Sequence, residues 1–267
     1  VLKRAGASGF VRAPKGSDVA EAARSEENLS RPCYCLEASL MNYREAWALQ
    51  TGLVEARRTR ALDRDILLLV EHPAVYTLGR RGERDNIKVP ESFLRARGID
   101  VIPVERGGDI TYHGPGQLVG YPVVDLRAAR MGVVDLVTAL EQIMIGTLGK
   151  WGIQGGRSPL NRGAWVGPHK IGSIGIAVRH GVSFHGFALN VNTSLEPFDW
   201  VNACGLKGAA FTSMERILGE AVSMKAVRST VRFHVEQVLN VRLEPMEPEK
   251  ARALLHGVGE ASAGEGQ

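Results

Sequence analysis

Hydrophobic positions recur along this chain in two rhythms. Over residues 42–57 they fall at helical spacing, with Tyr43, Ala46, Trp47 and Val54 on one face. The clearest helical stripe runs over 133–150 and carries Leu136, Leu140, Ile143, Met144, Thr147 and Trp151. A last amphipathic helix is predicted over 224–239, with Val227, Val231, Val235 and Val238 aligned. Weaker signals predict a helical turn over 93–97 closed by Gly98, and a short helix opened by a capping box of Thr212 and Glu215. Short apolar runs predict strands over 66–70, 75–78, 101–104, 118–124, 171–178 and 183–191, with a turn at 179–181 joining the last two.

The strands cluster in the middle of the chain and the helices are interspersed irregularly. That pattern predicts a mixed α/β (α+β) domain, with a central mixed sheet and flanking helices rather than a regular βαβ array. Residues 1–32 are rich in Ala, Gly, Ser and charge without a sustained period, and read as a disordered leader. The domain is expected over 33–245, followed by a C-terminal tail over 246–267. A length of 267 residues with 44% hydrophobic content is enough for one large core. No apolar run is long enough to cross a bilayer, and the N-terminus lacks the apolar segment of a signal peptide. Acidic residues among the first thirty argue against a transit peptide. The expectation is a cytoplasmic monomer away from membranes. A net charge of +4 without dense Lys/Arg runs argues against a nucleic-acid partner and suits an acidic protein.

Three cysteines do not make a disulfide framework. Cys33 and Cys35 lack a second ligand pair at metal spacing and read as incidental thiols beside the leader, so no metal site is expected. Three segments can carry chemistry. The first, residues 106–117, packs four glycines, Arg106 and His113 between two strands. It lacks the spacing of a phosphate-binding loop and opens no helix, so it is either a wall for an extended ligand or a structural turn. The second opens at Lys170, where small residues alternate with apolar ones; taken alone, a lysine there reads as a solvated charge. The third holds Cys204 next to Gly205 in a loop, and is either an exposed nucleophile or a small buried thiol. His113 and His185 can each act as a general base or as sheet histidines bonded to backbone, and no third group completes a triad.

Together these segments resemble the lipoyl(octanoyl) transferase family. Arg106-Gly107-Gly108, Thr111, His113, Pro115-Gly116-Gln117 and Tyr121-Pro122 match its signature, and Lys170 with Ser173-Ile174-Gly175 matches the segment of its activating lysine. The run from Phe184 to Asn192 matches its next strand, and Cys204-Gly205 falls where the family carries its acylated cysteine. Ala203 stands where the family often has proline. The resemblance covers about residues 35–240. It implies the fold of lipoate and biotin ligases, the class II synthetase-like fold. It implies an ATP-independent acyltransferase without cofactor, in which Cys204 is the nucleophile and Lys170 activates it. Octanoyl-acyl carrier protein would be the donor. Lipoyl domains of 2-oxoacid dehydrogenase E2 subunits and the glycine-cleavage H protein would be the acceptors. Arg106, Gly107, Gly108, Asp109, Ile110, Thr111, Tyr112 and His113 would line the acyl site with Ser173, Ile174, Gly175, Gly186, Phe187 and Ala188. A lipoate- or biotin-ligase activity, a Cys-His hydrolase and a non-catalytic acyl-binding protein are the competing readings.

Overall fold

A computed structural model describes residues 30–202, 210–249 and 251. Cys204, most of the leader and most of the C-terminal tail lie outside the described residues. In chain order the elements are β1 (Arg31–Leu40), α1 (Tyr43–Arg58), β2 (Asp65–Glu71), β3 (Val75–Leu78), α2 (Glu91–Arg95), β4 (Asp100–Pro103), β5 (Ile110–His113) and β6 (Gln117–Val123). They continue with α3 (Val133–Gly149), β7 (Gly163–Val166), β8 (His169–Arg179), β9 (Val182–Asn190), α4 (Glu196–Asp199), α5 (Met214–Leu218), α6 (Met224–Leu239) and β10 (Val241–Pro245).

Seven strands form one sheet in the order β10-β1-β2-β6-β9-β8-β7. It is mixed: β1 and β2 run parallel, while the neighbours from β2 through β6, β9 and β8 to β7 are antiparallel. Strand β2 is buried on both faces, which is why its sequence is a continuous apolar run rather than an alternation. Leu67 and Leu69 face one core with α3 and α6, while Ile66, Leu68 and Val70 face a second core with α1. The helical stripes supply the partners. Leu136, Leu140 and Ile143 from α3 meet Val227, Val231 and Val235 from α6, and Ala46, Leu49 and Leu53 of α1 cover the opposite face.

A second sheet of three strands, in the order β4-β3-β5, was not anticipated. Strand β5 lies inside the glycine-rich stretch, where four residues are too few to show a period. It packs Ile110 and Tyr112 against Tyr76, Leu94 and Phe198 in a core of its own. Strands β1, β7 and β10 and the short α4 also went unread. Cys33 and Cys35 are therefore not incidental thiols beside a leader. They alternate inward on β1 and pack in the α3–α6 core. The capping residue of α5 is Ser213 rather than Thr212: Ser213 Oγ accepts from Arg216 N at 3.2 Å, while the Thr212 N–H is committed to the Lys170 carbonyl at 3.0 Å.

The turn from β5 to β6 joins the two sheets and depends on Gly116. Its φ is +79°, and its carbonyl accepts from the N–H groups of Val191 and Asn192 and from Thr193 Oγ1. A Cβ there would stand 2.4 Å from the Asn192 carbonyl oxygen. Gly116→Ala is therefore expected to destabilise the protein by about 1–3 kcal/mol. Urea unfolding should show a lower midpoint with an unchanged slope; an unshifted midpoint would mean that the turn rearranges without cost.

Candidate active site

A cavity of about 490 Å³ opens between the small sheet and strands β6, β8 and β9. Its existence follows from close backbone approach. The Gly107 N–H donates to the Ile176 carbonyl on β8 at 2.9 Å. A Cβ at Gly175 would come within 2.9 Å of the Gly107 oxygen, so the strand side of this crossing tolerates no side chain. Arg106, buried at the same crossing, anchors the loop to β3: its guanidinium donates to the Thr77 carbonyl at 2.7 Å and to Thr77 Oγ1 at 2.8 and 3.1 Å. Asp109 is held by Asn86 Nδ2, at 2.9 Å from each carboxylate oxygen, and accepts from the Ile110 N–H.

Of the candidates from the glycine-rich loop, Arg106, Gly107, Gly108, Asp109, Thr111 and His113 line the cavity. The β8 and β9 candidates Ser173, Ile174, Gly175, Gly186, Phe187 and Ala188 do so as well. Ile110 and Tyr112 do not, because successive residues of a strand face opposite sides and these two enter the core of the small sheet. Sequence reasoning missed Tyr43, Arg81, Val119, Tyr121, Val133, Val137, Ile176, Asn161 and Arg162 as wall residues. Tyr43 and Val137 lie on helices whose stripes had been read only as core, and Asn161 sits in a loop without periodicity.

Lys170 is 1% exposed. Its Nζ donates to Asn161 Oδ1 at 3.1 Å and lies 5.6 Å from the centre of the Trp165 ring. A buried ammonium is costly unless polar groups replace its water. The Lys170 backbone is engaged as well: its N–H donates to Ala210 O, and its carbonyl accepts from Thr212 N, each at 3.0 Å. On the other side of Cys204 in sequence, the Asn202 N–H donates to Asn86 O at 2.7 Å and Val201 bridges to Ile87. The described residues flanking the segment of Cys204 are thus tied on one side to Lys170 itself and on the other to the 86–87 turn.

Tyr43, His113, Tyr121 and His185 give the cavity a polar, aromatic wall, with His72 and Gln117 behind it. His72 donates through Nδ1 to the Met41 carbonyl at 2.7 Å, which leaves Nε2 to accept from Tyr121 Oη at 2.7 Å. His113 Nδ1 lies 2.7 Å from Gln117 Oε1, and the Gln117 amide in turn donates to Asn190 Oδ1. His185 has a φ of +56°, and its backbone N–H turns to Gln50 Oε1 at 2.8 Å. Its ring lies 3.5 Å from Tyr43 Oη through Nδ1 and 3.7 Å from Glu105 through Nε2. Burial depresses all three imidazoles, His72 to about 4 and His113 and His185 to about 3. Arg106 adds repulsion at His113 and His185. Elsewhere, burial pushes the Cys35 thiol up to about 12, which makes it a poor nucleophile. No helix among the described residues is long and apolar enough to cross a membrane.

Residues 42–236 match the family model described as the lipoyl protein ligase A/B catalytic domain. An octanoyltransferase of Syntrophobacter fumaroxidans is 48% identical over 208 residues, covering 78% of this chain and 91% of that protein. One from Desulfotalea psychrophila is 49% identical over 188 residues, covering 70% and 84%. Among solved structures, a lipoate-protein ligase A bound with ATP aligns with a TM-score of 0.67 at 19% identity, covering 86% of this chain and 94% of that one. A bipartite lipoate protein ligase from Thermoplasma acidophilum aligns at 0.65 with 18% identity, covering 85% and 92%. At these identities the two ligases share the fold.

The buried histidines make stability depend on pH. Unfolded, each would titrate near ~6.5, well above its folded value. Below that pH the unfolded chain binds more protons than the native one, so this contribution is complete at neutral pH. It is lost as pH falls from ~6.5 toward the folded values of about 4 and 3. Three protons give a limiting slope of about 4 kcal/mol per pH unit. Urea unfolding across this range should show stability falling with acid, with a shallower slope in His113→Asn. Equal slopes would mean that His113 is already protonated in the native state.

Proposed function

The chain belongs to the lipoyl protein ligase A/B catalytic-domain family, among its octanoyltransferases, and from that premise we propose a two-step acyl transfer. The octanoyl group of octanoyl-acyl carrier protein passes to Cys204 as a thioester, and then to the target lysine of a lipoyl domain. The acceptors are the E2 subunits of 2-oxoacid dehydrogenases and the glycine-cleavage H protein. The observation that carries this reading is the buried Lys170 ammonium, whose own backbone holds the chain returning from the segment of Cys204.

The chemistry follows from charge and proton balance. Proton transfer from the Cys204 thiol to the Lys170 amine gives a thiolate–ammonium pair, in which the ammonium favours the thiolate, the nucleophile. The Cys204 thiolate attacks the carbonyl of the donor thioester. The carrier sulfur leaves and takes up the proton that Cys204 gave to Lys170. The acceptor amine then attacks the new thioester, its proton returns through Lys170, and the Cys204 thiolate departs. Exchange of a thioester for an amide runs downhill, so no ATP is consumed. The acyl chain lies along the apolar walls of the cavity, Val119, Ile174, Ile176, Phe187 and Ala188. A net charge of +4 favours encounter with acidic carrier and lipoyl domains.

His185 pairs across the sheet with Ile176, six residues from Lys170 on β8. At about 3.3 Å per residue that separates their backbones by roughly 20 Å. His113 has its Nδ1 committed to Gln117. With both rings depressed to about 3, neither suits a general base at neutral pH. This favours the Cys–Lys arrangement over a Cys–His hydrolase.

Incubation with octanoyl-acyl carrier protein should add one octanoyl group to the intact mass, and Cys204→Ala should abolish the adduct. Lys170→Ala should slow its formation by about 10²–10⁴-fold. Transfer to a lipoyl domain should proceed without ATP. An adduct that persists in Cys204→Ala overturns the nucleophile, and strict dependence on ATP makes the protein a ligase.

A further inference from the structure

Helix α3 buries Leu136, Ala139, Leu140, Ile143, Met144 and Leu148, and among them a carboxylate. Glu141 is 1% exposed and both of its oxygens are occupied. Oε1 accepts from the Gly163 N–H at 3.0 Å and lies 3.3 Å from Arg162 Nε, and Oε2 accepts from Arg157 Nε at 2.9 Å. The two arginines reach it from solvent and are about half exposed. They also bond α3 at Thr138: Arg162 reaches Oγ1 at 2.8 Å and Arg157 the carbonyl at 3.4 Å. A buried carboxylate inside an apolar stripe is expensive unless it is fully paired, so its presence calls for a role. Two of these partners, Arg157 and Arg162, lie on the loop between α3 and β7, and the third, Gly163, opens β7.

The same loop carries Asn161, next to Arg162 and two residues before the Gly163 that opens β7. The Asn161 carbonyl accepts from Trp165 Nε1 at 3.1 Å, and its side-chain oxygen accepts from Lys170 Nζ at 3.1 Å. A continuous chain of bonds thus runs from the middle of α3 through the loop to the Lys170 ammonium. We propose that Asn161 and Glu141 are positioning residues for Lys170: Asn161 fixes where the ammonium sits, and Glu141 fixes Asn161. An amide oxygen suits this task because it orients the ammonium without neutralising it, leaving the positive charge to act on the thiol. Glu141 itself touches neither substrate nor Lys170; it acts through the Arg162–Gly163 backbone.

The inference rests on the reading of Lys170 as the group that activates Cys204, and one experiment separates the two. The rate of Cys204 alkylation by iodoacetamide is followed against pH, with peptide mass spectrometry distinguishing it from the buried Cys33 and Cys35. Lys170→Ala should raise the midpoint and slow alkylation at neutral pH by about tenfold or more. Asn161→Ala should shift the midpoint in the same direction by less, slowing the rate by about threefold, and should add nothing in a Lys170→Ala background. Glu141→Gln should match Asn161→Ala. If Glu141→Gln does not fold, the exposed pair Arg157→Gln and Arg162→Gln takes its place. No effect of Lys170→Ala sinks the activator reading itself. A shift in Lys170→Ala with none in folded Asn161→Ala, or an Asn161→Ala effect that persists without Lys170, overturns the positioning role. A purely structural role would lower the unfolding midpoint and leave the alkylation profile in place.

Discussion

The hydrogen bond from the Gly107 N–H to the Ile176 carbonyl joins the two sheets, and the geometry of the cavity depends on it. At this crossing, loop backbone lies directly on strand backbone, with Gly175 opposite Gly107. A side chain at position 175 would press on the Gly107 carbonyl oxygen and on Arg106, and so push the loop away from β8. The signature of the loop is therefore a steric one first. Its glycines make contact affordable, its arginine fastens the loop to β3, and its histidine faces the space that results.

Much of the scaffold could be read from periodicity, because the long helices and the central strands bury whole stripes. Helix α6 is observed over the expected residues, and α1 and α3 agree to within a residue or two. What escaped were elements too short to show a period, such as β5 and β7, and those whose partners are distant in sequence, such as β1 against β2. Two strands of the small sheet, β3 and β4, were expected, and it was β5, the piece that joins them into a sheet with the glycine-rich stretch, that escaped. Its absence from the sequence reading explains why Ile110 and Tyr112 were grouped with Thr111 and His113, although alternate residues of one strand cannot share a wall.

The site was legible for a different reason. Composition and spacing favoured a surface position for Lys170, and only resemblance to a family picked it out. Its burial has a physical basis that no local pattern records. The groups around it come from Asn161 and Trp165, and its backbone partners Ala210 and Thr212 follow the segment of Cys204. None of these contacts has a sequence period. Glu141 was hidden in the opposite way: it occupies a core-facing position of a strong helical stripe, where a carboxylate reads as an interruption rather than as an anchor.

Two kinds of polar burial thus lie around the cavity. Along and behind its aromatic wall, His113 and His72 are held neutral by burial and bonded to Gln117, Met41 and Tyr121, so they polarise that wall without carrying charge at neutral pH. Behind Asn161, Glu141 lies paired between two half-exposed arginines. A hydrophobic chain can rest against neutral imidazoles at little electrostatic cost, whereas a thiolate needs a nearby cation. Charge is not confined to one part of the cavity, since Arg106 stands beside His113 and His185 on its lining, so the neutral imidazoles limit the charge that an apolar ligand would meet there without removing it.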